Sequence, residues 1–373
     1  MQTQSLFIDK YFNSLPNPRI ERTKLHDFTD ILFIVICATL CSMEGWEEIE
    51  DFAHERKTWL KRFINLNNGV PSHDTLRRVF SKLDPKLFQT CFIRWVDGLQ
   101  DKTSSQVIAI DGKTLRGSAD KANGRSAIHM VSAWACENQL VLGQIKVDEK
   151  SNEITAIPEL LDALFIENSV VTIDAMGCQK SIAEKIRDNK ADYLLSVKNN
   201  HKQLYKEIKS VFSDLSNVEE TPYRYSREID AGHGRIEQRT CYVVKSEMVG
   251  QSILWCDSKS VVMLESVREY QGKIETEKRF YITSLDGNSQ NISSVIRSHW
   301  GVENNSHWCL DVAFNEDKCK IRTDHAPENL STVRRIVLNI LKHDKTRKIG
   351  LARKRRMAGL NIDYIETLLC QYN

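Results

Sequence analysis

Residues 107–117 read V-I-A-I-D-G-K-T-L-R-G. Four apolar residues run into a carboxylate, then into a glycine and two basic residues. An unbroken apolar run of this length suits a strand covered on both faces. A buried, unpaired carboxylate at its end is costly, so Asp111 needs a partner. The same ending recurs at residues 170–174, V-V-T-I-D, which stop at Asp174. In a mixed α/β sheet, strand ends on one edge bring distant residues together. Two Asp side chains there repel each other. A divalent cation removes the repulsion, and oxygen-only ligands favour Mg2+ or Mn2+.

A site of this kind needs a further carboxylate. The best candidate lies in S-H-W-G-V-E-N-N-S-H-W-C-L-D, residues 298–311. On a helix, His299, Glu303, His307 and Asp311 fall four apart and form one polar stripe. Trp300, Val302, Trp308 and Leu310 are expected to anchor that helix against the sheet. The alternative is a partly exposed helix with a solvated stripe. The pair of strand-end Asp residues tips the balance toward a site.

Gly112-Lys113-Thr114 also looks like the end of a phosphate-binding loop, G-x-x-x-x-G-K-[ST]. The required earlier glycine falls at Val107, so the pattern fails. Asp111 would also place a negative charge in that loop. Nucleotide hydrolysis is excluded, and no nucleotide cofactor is expected. No G-x-S-x-G elbow supports a serine nucleophile.

Around this core the chain changes character several times. Residues 1–102 read as a helical N-terminal domain, with apolar residues at helical intervals over 31–41, 46–63, 72–83 and 85–99. Ser72 suits the cap of S-H-D-T-L-R-R-V-F, whose Arg77 and Arg78 are candidate phosphate contacts. DNA-end binding by a helix-turn-helix is one reading, and two short helices of a bundle is the other. Residues 103–205 follow as β-β-β-α-β-α-β, which implies a mixed sheet with helices packed on it. The helix over 155–164 tolerates Pro158 only in its first turn. Residues 206–290 break the rhythm as a β-rich insertion with strands at 224–229, 240–244, 261–267 and 273–283. Helix resumes over 293–312 and again over 330–342, within the catalytic helix and end of the core at 291–345, and 346–373 form a basic tail or helix.

Bulk charge names no partner, since 52 Lys and Arg stand against 50 Asp and Glu. Residues 342–356, with eight basic residues and one acid, are more telling. Such a run attracts a polyanion such as DNA. A solvated basic helix explains it equally well. Ten cysteines include no C-x-x-C pair, which suits a reduced, cytosolic protein. The first 14 residues contain acids and no long apolar core, so no signal peptide is expected. The most apolar run, 31–41, is too short to span a bilayer, and no membrane partner is expected.

Taken together, I-A-I-D-G-K-T-L-R, K-S-N-E-I-T-A-I-P-E-L-L, T-I-D-A-M-G-C-Q-K, G-H-G-R-I-E-Q-R and H-W-G-V-E-N-N-S-H-W-C-L-D-V-A-F-N-E-D resemble the bacterial insertion-sequence DDE transposases. The nearest group is the ISAs-type, which includes the H-repeat-associated proteins of Rhs elements. The resemblance runs from about Leu25 to Leu369. It implies an RNase H-like α/β fold with a mixed-sheet catalytic core, a β-rich insertion and a helical N-terminal domain. By motif, Asp111, Asp174 and Glu303 would be the catalytic and metal-binding triad, holding two Mg2+ or Mn2+ ions. The wider Y-x-x-R-x-x-x-E-x-x-x-x-x-x-K pattern is not kept. Ile296, His299 and Leu310 stand at its tyrosine, arginine and lysine positions.

The implied activity is cleavage of element-end DNA and its joining to target DNA. It would proceed by in-line phosphoryl transfer without ATP or a covalent protein–DNA intermediate. The partner would be double-stranded DNA, bound by a homodimer at synapsis, in the cytoplasm at the bacterial nucleoid. Candidate DNA contacts are Lys113, Arg116, Lys198, His233, Arg235, His299 and His307. His233 and Arg235 equally suit a plain β-turn. Gly112 is expected to let the chain turn at the sheet edge. Glu153 suits an accessory carboxylate or the first turn of a helix. Three competing readings remain open: a nuclease that does not join strands, a decayed transposase that only binds DNA, and a metal-binding α/β protein.

Overall fold

The computed structural model describes residues 7–20, 24–100, 106–148, 151–215, 224–232 and 235–371. Six helices come first: α1 (Phe7–Phe12), α2 (Phe28–Leu40), α3 (Trp46–Glu55), α4 (Lys57–Leu60), α5 (His73–Lys82) and α6 (Pro85–Asp97). Their limits are set by local chemistry. The Ser72 hydroxyl accepts from the Thr75 N–H and starts α5. Asp84 accepts from the Lys86 and Leu87 N–H groups, and Pro85 opens α6 where no N–H is required.

Next come β1 (Val107–Leu115), β2 (Ile128–Ala135), β3 (Leu140–Lys146), α7 (Glu153–Ala163), β4 (Val170–Ile173), α8 (Lys180–Asp188), β5 (Asp192–Val197) and α9 (Lys202–Leu215). The β-β-β-α-β-α-β order is the one expected. Pro158 lies inside α7, beyond the first turn, because the helix starts two residues earlier than its apolar pattern indicates. Four long strands follow: β6 (Arg224–Gly232), β7 (Arg235–Lys245), β8 (Ser260–Tyr270) and β9 (Lys273–Thr283). The β8–β9 turn carries positive φ at both Gln271 and Gly272, as a two-residue hairpin of the right twist requires.

All nine strands form one sheet, ordered β3-β2-β1-β4-β5-β9-β8-β7-β6. The β-rich segment therefore prolongs the core sheet through the antiparallel β5–β9 pair. The chain closes with α10 (Ser289–His299), α11 (Trp308–Phe314), α12 (Ala326–His343), α13 (Leu351–Leu360) and α14 (Ile362–Cys370). The largely buried α12 is the hub. It packs on α2, α5 and α6 and also on β3. One apolar core consequently joins the N-terminal helices to the sheet. Asn339 of α12 accepts from the Val141 N–H and donates to its carbonyl, both at 2.9 Å. The Val141 backbone on edge strand β3 is thereby satisfied.

The basic run at 342–356 is partly structural. Lys354 is buried, and its ammonium group lies 2.9 Å from the Asp344 carboxylate. Arg355 is buried against Glu44 and donates to the Thr39 carbonyl. These two cations bind the last helices to the protein interior and face no polyanion. Lys345, Lys348, Arg353 and Arg356 stay exposed.

Candidate active site

β1 and β4 are parallel neighbours in register, with Ile110 opposite Ile173. Asp111 and Asp174 each follow that last pair, so they emerge side by side on strands ~4.8 Å apart. The strands then part. β4 ends, and the Asp174 carboxylate accepts from the Met176 and Gly177 N–H groups at 3.0 and 3.3 Å. β1 continues to Leu115 because β2 pairs with it, Asp111 lying opposite Ser132. Asp111 is thus within its strand, and the expected turn at Gly112 does not occur. A Cβ at Gly112 would collide with Glu153 and His129. The glycine is there for close approach.

The third carboxylate comes from the segment linking α10 to α11. The segment Glu303–His307 is one wide turn, in which the Trp308 N–H reaches back five residues to the Glu303 carbonyl. A four-residue spacing drifts steadily around a helix of 3.6 residues per turn, and the wide turn offsets that drift. The stripe therefore stays on the sheet. His299 Nδ1 is 2.9 Å from Thr172 Oγ1 on β4, and His307 Nδ1 is 3.4 Å from Asp111 Oδ2. Asp311 accepts from Lys113 Nζ at 2.6 Å. Buried Val302 and Leu310 anchor the segment. The tryptophans do not, since Trp300 is 44% and Trp308 61% exposed.

Asp111, Asp174 and Glu303 line one cavity of about 260 Å³, together with Lys198 and His299. Burial pushes the Asp111 carboxyl up to about 7, and the charges of Asp174, Glu153 and Glu303 add to the rise against the Gly112 N–H. Burial also drives the His307 imidazole down to about 3, so at neutral pH it is uncharged beside Asp111. Its Nε2 is buried without a hydrogen-bond partner. Burial likewise lowers His299. Among the described residues, no three His, Cys, Asp or Glu side chains converge into a ready metal cage. The donor chemistry still suits a hard dication, because the three acids supply oxygen only and Asp111 carries uncompensated repulsion.

The other expected contacts divide. Lys198 is exposed at the cavity. Arg116 is exposed too, with its Nε 3.5 Å from Asp317. Lys113 does not face phosphate. It is buried, with Nζ 2.6 Å from Asp311, 3.1 Å from Asp317 and 3.7 Å from Glu316. Its charge is consumed inside the protein, because β1 extends past Asp111 and carries Lys113 inward. His307 is likewise an interior neighbour of Asp111, held away from any DNA surface by burial. His233 and the Arg235 side chain lie outside the described residues. Glu153 opens α7 after the Asn152 cap, and its Oε1 lies 2.6 Å from His129 Nε2. The Arg279 guanidinium, 4.8 Å from the Trp300 ring centre, also lines the cavity. Sequence reasoning missed it, because nothing in a strand marks which residue will meet a helix 21 positions later.

The family described as Transposase DDE domain matches residues 102–340, and the one described as DDE_Tnp_1-associated matches residues 10–96. The chain belongs to the DDE transposase family. This transposase is 43% identical over 368 residues to the "H repeat-associated putative transposase YhhI" of Escherichia coli K12, covering 96% of this chain and 97% of that one. It is 42% identical over 376 residues to the "Putative transposase YncI" of Escherichia coli O157:H7, covering 99% and 95%. Among solved structures, a piggyBac transposase synaptic complex with hairpin DNA aligns at TM-score 0.41 and 12% identity, over 98% of this chain and 77% of that one. A likeness that weak carries no argument. The mixed sheet of the DDE member has the RNase H-like order expected, and the family generally uses divalent metal ions.

Proposed function

We propose that this transposase cleaves the DNA ends of its own insertion element and joins them to target DNA by metal-dependent transesterification. One observation carries the reading: three carboxylates from distant stretches, Asp111, Asp174 and Glu303, line a single cavity, and none of them forms an ion pair with a Lys or Arg among the described residues. These residues would hold a pair of Mg2+ or Mn2+ ions. Bound there, the ions would polarise the scissile phosphate and activate water or a DNA 3′-hydroxyl.

The chain's own residues supply the rest. Neutral His307 packs 3.4 Å from the Asp111 carboxylate, and Thr172 holds His299 at the cavity wall. Lys198 offers a positive charge to a flanking phosphate. Arg116, His233 and Arg235 are the remaining candidates for DNA contact. Phosphoryl transfer depends mainly on such positioning and charge. Two element ends must be brought together, so the working form is a homodimer on DNA at the nucleoid. No helix among the described residues is long and apolar enough to cross a membrane.

The test is Mg2+-dependent cleavage and joining of element-end duplexes by Asp111→Asn, Asp174→Asn and Glu303→Gln. Loss of both steps with retained DNA binding supports the assignment. Full activity in any one variant removes that residue from the site. Cleavage without joining, given a target duplex, would favour a nuclease.

A further inference from the structure

A second cavity, of about 560 Å³, lies at the far end of β1 from the acids. Lys82 at the end of α5, Arg125 in the loop after β1, Lys146 at the end of β3 and Arg322 before α12 line it. Asp324 is its one acidic lining residue. Among the lining residues the balance is four cations against one acid, and Glu328 is near enough to Lys146 to feel its charge. None of the four cations has an ion-pair partner within 4 Å among the described residues. Arg322 spends one N–H on the Gly117 carbonyl at 3.0 Å, and Asp120 is near enough to feel its charge.

This contrasts with the arginine-rich cavity beside Trp300. There Arg239 and Arg268 are held by Glu237, and Arg297 by Glu228 and Asp230. Those charges are internally balanced. Those around Lys82 and Arg125 are not, and unbalanced cations in a concave site raise the local concentration of anions.

The walls are also fixed in advance. The His325 N–H donates to the Ser81 carbonyl at 3.3 Å, and Asn329 donates to the Phe80 and Leu83 carbonyls. The Ser118 hydroxyl accepts from the Ile128 N–H at 2.8 Å. A cleft built this way loses little freedom when it binds. β1 leads directly to it. From Asp111 to Leu115 the strand covers ~13 Å, about four base pairs of duplex rise.

We propose that this cleft holds the sugar–phosphate backbone of duplex DNA running on from the scissile phosphate. The proposal rests on the reading of Asp111, Asp174 and Glu303 as a DNA-processing site. It assigns to Lys82, Arg125, Lys146 and Arg322 a contact that is blind to base sequence.

Lys82 and Arg125 are exposed, so K82A/R125A tests the cleft without disturbing the core. Binding is measured by fluorescence anisotropy against KCl concentration, with a labelled duplex from the DNA flanking the coding sequence and a scrambled duplex of equal length. The expected slope of log K against log[KCl] becomes shallower by about two, roughly 0.9 per lost phosphate contact, on both duplexes. K82R/R125K should restore it. An unchanged slope in a folded K82A/R125A chain would overturn the cleft alone. The wild-type chain binding neither duplex would overturn both the cleft and the DNA-processing reading. Normal duplex binding with full cleavage by Asp111→Asn would sink only the latter.

Discussion

Two carboxylate clusters lie two residues apart along β1 and have opposite electrostatic fates. Around Lys113, the acids Asp311, Glu316 and Asp317 are met by cations. Lys113 lies within 3.7 Å of all three, and Arg335 is 3.0 Å from Glu316. Burial raises the Glu316 carboxyl, but Arg335, Arg334 and Lys113 outweigh it and hold it below the usual carboxylate range. Asp111 forms no ion pair with a Lys or Arg among the described residues, and its carboxyl rises to about 7. Both clusters are rich in acid, so acidity alone marks neither as a site. The informative quantity is the charge that the fold leaves unbalanced.

The strongest way to break this contrast is through activity. Asp111→Asn, Asp174→Asn or Glu303→Gln should lower Mg2+-dependent cleavage at least ~10³-fold, the several kcal/mol that metal-ion catalysis contributes. Addition of Mg2+ in a thermal melt should stabilise the wild type, and Asp111→Asn should lose that response. A wild-type melt indifferent to Mg2+ and Mn2+ would show that the unbalanced acids hold no cation.

The balanced cluster should fail differently. Glu316→Gln leaves Arg335 buried without its carboxylate, so stability should fall by about 3–5 kcal/mol in urea denaturation. Any loss of activity should follow the loss of folded protein. An equally stable but inactive variant would move Glu316 into the site.

A pair of lysines sharpens the comparison further. Lys113→Met should destabilise by about 3 kcal/mol, as the loss of a buried ion partner does. It should leave the salt dependence of DNA binding unchanged. Lys198→Ala should do the reverse, reducing the salt slope by about one with stability within ~0.5 kcal/mol of wild type.

The smallest effect concerns Glu328 on α12, a second acid that burial pushes up. Burial raises its carboxyl to about 7, with Lys146 only partly opposing. A raised carboxyl contributes stability that is present below its unfolded value, near pH 4, and lost as pH rises through 7. Glu328→Gln should therefore melt higher than the wild type at about pH 8, and the gain should vanish at about pH 4. A gain that grows on acidification would reverse the sign and refute the assignment.

Much of the architecture was legible because periodicity is a local property. The four-residue run of β4 and the amphipathic α8 carry their patterns within a few positions. Helix α9 was missed within a stretch dominated by strand signals, although Lys202–Leu215 is strongly amphipathic. Asp111, Asp174 and Glu303 were singled out because two apolar runs lead alike into Asp and one later stretch repeats polar residues every four positions.

The sequence by itself determined which residue types were available and which local elements they would form. Tertiary structure decided which charges remain free. Lys113 and Lys198 look alike as basic residues that follow apolar strands, yet one is walled in by three acids and the other borders an acidic cavity. Lys82, Arg125, Lys146 and Arg322 come from four separate segments, and no motif joins them. A side chain's charge is written in its own codon, but its neutralisation depends on residues hundreds of positions away. Electrostatic energy follows distance in space, and only the folded chain fixes that distance.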